Sequence, residues 1–184
     1  YWNTALGGDF SKDPRSYAVY AEVQRQLLIT LLHVQAELRQ TRFYPHYLEL
    51  PIRSHTAFSP LKALTEDGHS LQIEGIIDRV DTCELDGKTC VRIIDNKSGT
   101  KSFSFGNLRY GLDMQMLIYL FSLIYNQTPL QNAKIGGVLY MPAGGVKTNQ
   151  ERGSAKSKQE LEQDAYRMSG LLIDDAERIR CMEP

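Results

Sequence analysis

Apolar side chains recur at helical spacing in the first part of the chain and at strand spacing in the part that follows. Asp13-Pro14 is a typical helix start, with a capping carboxylate followed by proline at the first helical position. The apolar stripe behind this start consists of Tyr20, Val23, Leu27, Leu31, Val34 and Leu38. The pattern predicts one long helix over residues 13–41.

From Tyr47 the chain changes to short apolar runs separated by Asp67-Gly68 and Asp86-Gly87, two dipeptides that favour tight turns. Such runs predict an antiparallel meander. We expect its strands near residues 47–52, 61–66, 70–84 and 89–96.

The second half of the chain predicts a helix over about 109–125 and a strand over 134–141, which joins the sheet through a helical crossover and completes a core spanning 47–141. Residues 143–158 are rich in Gly, Lys, Asn and Ser, and predict a flexible loop that is disordered or closes over a substrate. Ser157 and Glu160 form a capping box, so a helix should run from there to about Gly170 within a C-terminal helical part, 157–184. With a tail over 1–12, the 184 residues make a single domain.

Asp86-Gly87 predicts a two-residue hairpin turn, because Gly accepts the positive φ that such a turn requires. Residues equally distant from this turn then lie opposite each other, which pairs Asp78 with Asp95 at a Cβ separation of about 5 Å. Lys97 lies two residues beyond Asp95 and therefore on the same face of its strand. Two carboxylates and one ammonium should converge on one spot.

The same register pairs Asp81 with Arg92 as a cross-strand ion pair, and Cys83 with Cys90 on the face away from the aspartates. The two thiols could form a disulfide, or they could be ordinary buried thiols, which is the commoner case for a protein in a reducing compartment. The three cysteines, including Cys181, are too few for a four-cysteine cluster.

Two carboxylates with room for water and a phosphate oxygen make an oxygen-only site suited to Mg²⁺, with the backbone carbonyl of Asn96 as a further ligand. Lys97 would then orient or deprotonate water and offset charge in the transition state. The alternative is that Asp78 and Asp95 only form solvated ion pairs at strand ends, with Lys97 or a neighbouring arginine.

In the helix after the basic loop, Gln115 and Tyr119 share one face, and a separate apolar face packs on the sheet. This pair either lines a cleft or caps the sheet as a half-buried polar contact. Between Lys97 and Arg109 the chain has no acidic residue. Lys101 and Arg109 are therefore candidate phosphate contacts, and Phe103 and Phe105 could stack on unpaired bases or pack in the core.

Together, G-I-I-D-R-V-D from Gly75, I-I-D-N-K-S-G from Ile93 and Q-M-L-I-Y from Gln115 resemble the RecB-type branch of the PD-(D/E)XK nuclease superfamily, over residues 17–182. The resemblance implies an α/β (α+β) fold with a restriction-endonuclease-like core, in which a mixed central sheet with an antiparallel meander is flanked by helices. It implies that Asp78 and Asp95 bind Mg²⁺ or Mn²⁺, and that Lys97 is catalytic. Gln115 and Tyr119 would contact the site and the DNA.

The resemblance also implies an exonuclease that acts on DNA, notably single-stranded ends, beside a partner helicase subunit in the bacterial cytoplasm during double-strand-break repair and recombination. Asn96 stands where this branch usually has tyrosine. The branch's metal-binding histidine on an upstream helix and its cysteine-held iron–sulfur cluster are not evident here. We therefore expect the chain to be a piece of a longer protein, with any cluster outside it.

Composition agrees with a compact domain, since 42% of the residues are hydrophobic. No apolar run reaches about 18 residues and no signal peptide is visible, which argues against membrane and secreted classes. No phosphate-binding G-x-x-x-x-G-K-[ST] loop occurs, so no ATPase is predicted within this sequence. Two functions remain open: a metal-dependent DNA exonuclease domain, or a non-catalytic module of the same fold that binds DNA or the partner helicase subunit.

Overall fold

The computed structural model describes residues 13–97, 103–143 and 157–182. The helices are α1 (Pro14–Gln40), α2 (Phe105–Arg109), α3 (Gln115–Tyr125), α4 (Lys158–Ala165) and α5 (Ala176–Met182). The strands are β1 (Tyr44–Ile52), β2 (Lys62–Leu64), β3 (Ser70–Gln72), β4 (Gly75–Leu85), β5 (Lys88–Lys97), β6 (Lys134–Pro142) and β7 (Ser169–Leu172). The predicted tail over 1–12 and most of the predicted loop over 143–158 lie outside the described residues.

Five strands form one mixed sheet in the order β1-β4-β5-β6-β7. All neighbours in it are antiparallel except β5 and β6, which run parallel and are joined by the segment that carries α2 and α3. A parallel pair requires such a crossover, because the chain must return to the same end of the sheet. The mixed α+β architecture and the helical crossover are confirmed.

The β4–β5 hairpin has the predicted turn and register. Asp86 and Gly87 adopt φ values of 52° and 68°, as a type I′ turn requires. Asp81 pairs with Arg92 and Cys83 with Cys90 in the resulting ladder. Its last pair toward the open end is Arg79 with Ile94. Asp78 and Asp95 are the next residues along, at the point where the two strands separate.

A buried charge network fastens α1 to the sheet. The Asp81 carboxylate accepts hydrogen bonds from Arg79 Nε and Nη2 at 2.6 Å each, and from Arg92 Nε and Nη2 at 3.0 and 2.9 Å. Glu37 of α1 accepts from both arginines. Burial lowers the pKa of Arg79, but the hydrogen bonds and charges of Asp81 and Glu37 more than offset it, so that the pKa is raised.

The larger apolar core lies between the sheet and α3. It includes Val80, Val91 and Ile93 of the sheet, together with Leu120 and Leu123 of the helix. A smaller cluster consists of Phe43, Cys83, Leu85, Cys90, Cys181 and Met182. All three cysteines are free thiols in this cluster, so no disulfide links Cys83 to Cys90.

Several predicted elements differ in the structure. The strands expected over 61–66 and at the start of 70–84 form a separate hairpin of β2 and β3, outside the main sheet. Of the helix expected over 109–125, only Gln115–Tyr125 forms as α3; α2 ends at Arg109, and Gly111 and Asp113 adopt positive φ between the two helices. The helix expected from Ser157 to about Gly170 is α4 and ends at Ala165, and the C-terminal part expected to be helical contains β7, which pairs with β6.

The apolar stripe of α1 is largely exposed. Val23, Leu27 and Leu31 are 55%, 58% and 56% exposed, and within the helix only Thr30 is buried. The C-terminal end of the helix is held by the hydrogen bonds between Glu37 and the two arginines. No helix among the described residues is long and apolar enough to cross a membrane.

Candidate functional site

The candidate site lies where β4 and β5 separate. Asp78 lies one residue beyond the last ladder pair, Arg79 with Ile94. Its Oδ2 accepts a hydrogen bond from the backbone N–H of Asn96 at 2.7 Å. This bond places the Asp78 carboxylate against the peptide unit that joins Asp95 to Asn96. The two acidic residues are therefore neighbours across the opening, and an amide from the second strand holds the first carboxylate.

Lys97 completes the group. Its ammonium forms an ion pair with Asp95 Oδ2, and the two side chains are 34% and 15% exposed. The ammonium also lies 5.8 Å from the ring centroid of Tyr140, the β6 residue that pairs with Asp95. Tyr140 is 4% exposed, so it is a fixed wall of the site. The structure thus brings Asp78, Asp95 and Lys97 together.

The donor set suits a hard cation. Asp95 Oδ2 is buried and makes no hydrogen bond among the described residues, so its charge is met by the Lys97 ammonium. Over residues 13–97, 103–143 and 157–182, no group of three or more His, Cys, Asp or Glu could hold a metal. Mg²⁺ commonly binds through one or two carboxylates and fills its remaining positions with water and phosphate oxygens. Asp78 and Asp95 fit that requirement.

Gln115 and Tyr119 lie in the first turn and the middle of α3. Gln115 Nε2 donates a hydrogen bond to the Tyr119 hydroxyl at 3.0 Å. Tyr119 is only 3% exposed and belongs to the large core, whereas Gln115 is exposed. The predicted pair therefore exists. Gln115 is the member that is exposed to solvent, and the Tyr119 hydroxyl holds its amide from the core side.

Gly75, the first residue of the motif G-I-I-D-R-V-D, makes a specific contact in the structure. A Cβ at this position would lie 1.7 Å from the Tyr119 hydroxyl oxygen. Glycine in a strand often marks a place where another group approaches the backbone closely. The sequence offered that signal, but not the identity of the approaching side chain.

The basic segment is described in part. Lys101 lies outside the described residues, and Arg109 is exposed at the end of α2. Phe105 and Tyr110 beside it are 73% and 81% exposed. Phe103 instead packs against the core, as one of the two alternatives predicted, and its ring centroid lies 5.5 Å from that of Phe105 in an edge-to-face contact. Tyr110 was missed by the sequence reasoning.

Comparison with known proteins identifies a family and several relatives. Residues 4–183 match the family model described as the PD-(D/E)XK nuclease superfamily. Three curated relatives are each named as a subunit of an ATP-dependent helicase/deoxyribonuclease. Those from Clostridium novyi and Exiguobacterium sibiricum are 31% identical over 97% of this chain and 33% identical over 83%. The third, from Clostridium acetobutylicum, is 28% identical over 96% of the chain.

The chain spans 16%, 13% and 16% of the lengths of these three relatives, in the order named. The similarity therefore concerns one segment of much longer proteins. Within that segment it extends over nearly the whole sequence, including the strands that carry Asp78, Asp95 and Lys97. The chain belongs to the PD-(D/E)XK nuclease superfamily.

Proposed function

We propose that this chain is a metal-dependent deoxyribonuclease module, in which Asp78 and Asp95 bind Mg²⁺ and Lys97 assists hydrolysis of a phosphodiester bond. The observation that carries the proposal is the convergence of both carboxylates and the Lys97 ammonium where β4 and β5 separate. Solvated ion pairs at strand ends do not explain why the Asp95 side chain is only 15% exposed, with the Asp78 carboxylate held against the adjoining peptide unit.

When bound, Mg²⁺ would supply positive charge to the scissile phosphate and lower the pKa of a water molecule. The chain's own residues have three tasks. Asp78 and Asp95 provide the anionic oxygens, and the carbonyl of Asn96 is the proposed third ligand. Lys97 places an ammonium beside Asp95, where it would neutralise charge that develops on the phosphate and orient the attacking water. Mn²⁺ should substitute because it accepts the same oxygen ligands.

The substrate we propose is DNA with single-stranded ends, degraded as an exonuclease would. Exposed Phe105 and Tyr110 offer ring faces for unpaired bases, and Arg109 between them offers a phosphate contact, with Lys101 as a second. Gln115 would contact the strand nearer the site.

We further propose, by extension from the relatives' name, that the longer protein works in the bacterial cytoplasm with a partner helicase subunit during double-strand-break repair and recombination. An iron–sulfur cluster in that longer protein would need cysteines from elsewhere. Cys83, Cys90 and Cys181 are buried in the smaller apolar cluster and are not available as its ligands.

A second candidate function is a catalytically weak or inactive module that binds DNA or the partner subunit. The exposed apolar stripe of α1 favours this second function, because exposed apolar patches commonly mark contacts with other proteins. The stripe and the candidate site involve different residues, so a docking role for α1 is compatible with catalysis.

Calorimetric titration of Mg²⁺ and Mn²⁺ into the wild type and the Asp95→Ala variant separates the two functions. We expect binding by the wild type and much weaker binding by the variant, since the substitution removes one of the two proposed carboxylate ligands. Asp67→Ala is the matched control, because Asp67 is exposed in the turn between β2 and β3 and should leave binding intact. Absence of binding by the wild type, or equal binding by Asp95→Ala, would overturn the catalytic proposal.

A further inference from the structure

Gly75 begins β4, three residues before Asp78 and opposite Ile52 of β1. A Cβ built on it would lie 1.7 Å from the hydroxyl oxygen of Tyr119 and 2.6 Å from its Cζ. Real Cβ atoms are essentially never found within 3.0 Å of another heavy atom. The Tyr119 hydroxyl therefore packs against the Cα of Gly75, in the space that a Cβ would occupy.

The exclusion comes from Tyr119 and not from the backbone. Gly75 does not adopt a positive φ, so its backbone would accept an L-residue. Gly137 and Gly170 differ in this respect, because a Cβ there would meet the carbonyl oxygens of Leu171 and Val138 on the neighbouring strands. Gly75 thus marks a contact between a strand and one side chain of α3.

The Tyr119 hydroxyl cannot simply swing aside. Tyr119 is 3% exposed, and its ring packs in the large core with Leu120 and Leu123 of the same helix. An alanine at position 75 would have to move this hydroxyl by more than about 1 Å, and interiors packed at crystal-like density resist such a shift. The shift would be passed on to whatever the hydroxyl holds.

What the hydroxyl holds is the amide of Gln115, which donates to it at 3.0 Å. Gly75 lies about 10 Å along β4 from Asp78, at about 3.3 Å per residue. The contact therefore sets where the exposed amide of Gln115 stands relative to the candidate carboxylates. We infer that Gly75 is a positioning residue. Because it has no side chain, the Tyr119 hydroxyl can pack against its Cα, and from there the hydroxyl holds Gln115 in position to contact the DNA strand.

This inference rests on the proposed function for its kinetic consequence, but its structural part is measurable without activity. In ¹H–¹⁵N spectra, the Gln115 side-chain amide should shift in Gly75→Ala, and in the same direction in Tyr119→Phe, which lacks the accepting oxygen. An unchanged Gln115 resonance in Gly75→Ala would overturn the inference, whether or not the protein cleaves DNA.

In cleavage assays on single-stranded DNA with the complete protein, Gly75→Ala should lower kcat/KM by on the order of 10- to 100-fold, the cost of misplacing a substrate contact by about 1 Å. Calorimetric Mg²⁺ binding should be unchanged, since both carboxylates are intact. Gly106→Ala is the control and should have wild-type activity, because its Cβ would meet only Ser104 Oγ at 3.4 Å.

A double-variant comparison guards against a general folding defect. Tyr119→Leu removes the atoms that a Cβ at position 75 would strike and keeps an apolar side chain in the core. In that background Gly75→Ala should cause less than a roughly twofold further loss. The same loss in both backgrounds would show that Gly75 acts through the backbone, and would overturn the inference. A wild type that binds Mg²⁺ but cleaves no DNA would instead count against the proposed function alone.

Discussion

Asp78 and Asp81 lie three residues apart in G-I-I-D-R-V-D, but their substitution should affect different properties: metal binding for Asp78 and fold stability for Asp81. Asp81 is fully buried and accepts four hydrogen bonds from Arg79 and Arg92. Asp78 is half-buried at the strand opening, and one backbone N–H donates to it, that of Asn96. We predict that Asp81→Asn lowers the free energy of unfolding and leaves Mg²⁺ binding intact. Asp78→Asn should weaken Mg²⁺ binding and leave the free energy of unfolding nearly unchanged.

The magnitudes follow from these contacts. In Asp81→Asn the amide keeps the shape of the side chain but leaves two buried guanidinium groups with Glu37 as their one carboxylate among the described residues. Breaking a buried ion pair costs about 3–5 kcal/mol, and Glu37 retains part of the compensation, so we expect about 3 kcal/mol. In Asp78→Asn the amide oxygen can still accept from Asn96, and a like charge is removed from beside Asp95. The free energy of unfolding should change by less than about 1 kcal/mol.

Urea unfolding followed by circular dichroism measures the first quantity, and calorimetric titration with Mg²⁺ measures the second. Both variants and the wild type are compared at one pH and salt concentration. The reasoning is refuted if Asp81→Asn unfolds at the wild-type urea midpoint, or if Asp78→Asn binds Mg²⁺ as tightly as the wild type does.

Three further predictions concern other parts of the molecule. Burial, with Cys90 and Cys181 nearby, raises the pKa of Cys83 from 9.0 to about 12. The contribution of its neutral thiol to the free energy of unfolding is therefore present below pH 9 and lost as the pH rises toward 12. Between about pH 8 and 11, urea unfolding should show a smaller loss of stability in Cys83→Ala than in the wild type, and an equal loss would contradict this. Leu27→Glu on the exposed stripe of α1 should change the unfolding free energy of this chain by less than about 0.5 kcal/mol, and a larger loss would show that the stripe is packed. Arg109→Ala should weaken single-stranded DNA binding and reduce the slope of log K against log salt by about 1, whereas an unchanged slope would exclude a phosphate contact.

The hairpin was predictable because its information is local. Asp86-Gly87 specifies a two-residue turn, and the turn fixes which residues face each other. The pairing of Asp81 with Arg92 and of Cys83 with Cys90 followed from that single dipeptide. The separation of the strands at Asp78 did not follow from it, since it depends on how the ends of β4 and β5 diverge.

Elements that depend on distant partners were missed. β7 is a four-residue strand, Ser169–Leu172, which is stabilised by pairing with β6. Gly170 and Gly137 permit the close approach of these strands, but the sequence alone does not indicate which strand each glycine faces. The exposure of α1 has the same origin, because an apolar stripe predicts a buried face but does not identify what covers it. Gly75 likewise acquires its meaning only from Tyr119.

Cleavage of single-stranded DNA by Lys97→Ala tests the central claim most directly, that Asp78, Asp95 and Lys97 form one hydrolytic site. In the complete protein with Mg²⁺, we predict a fall in turnover on the order of 10² to 10⁴, while Mg²⁺ binding persists or tightens because the ammonium no longer competes for Asp95. Lys134→Ala, which removes an ammonium paired with Asp86 at the far end of the hairpin, should retain full activity. Wild-type turnover by Lys97→Ala would contradict the assigned site.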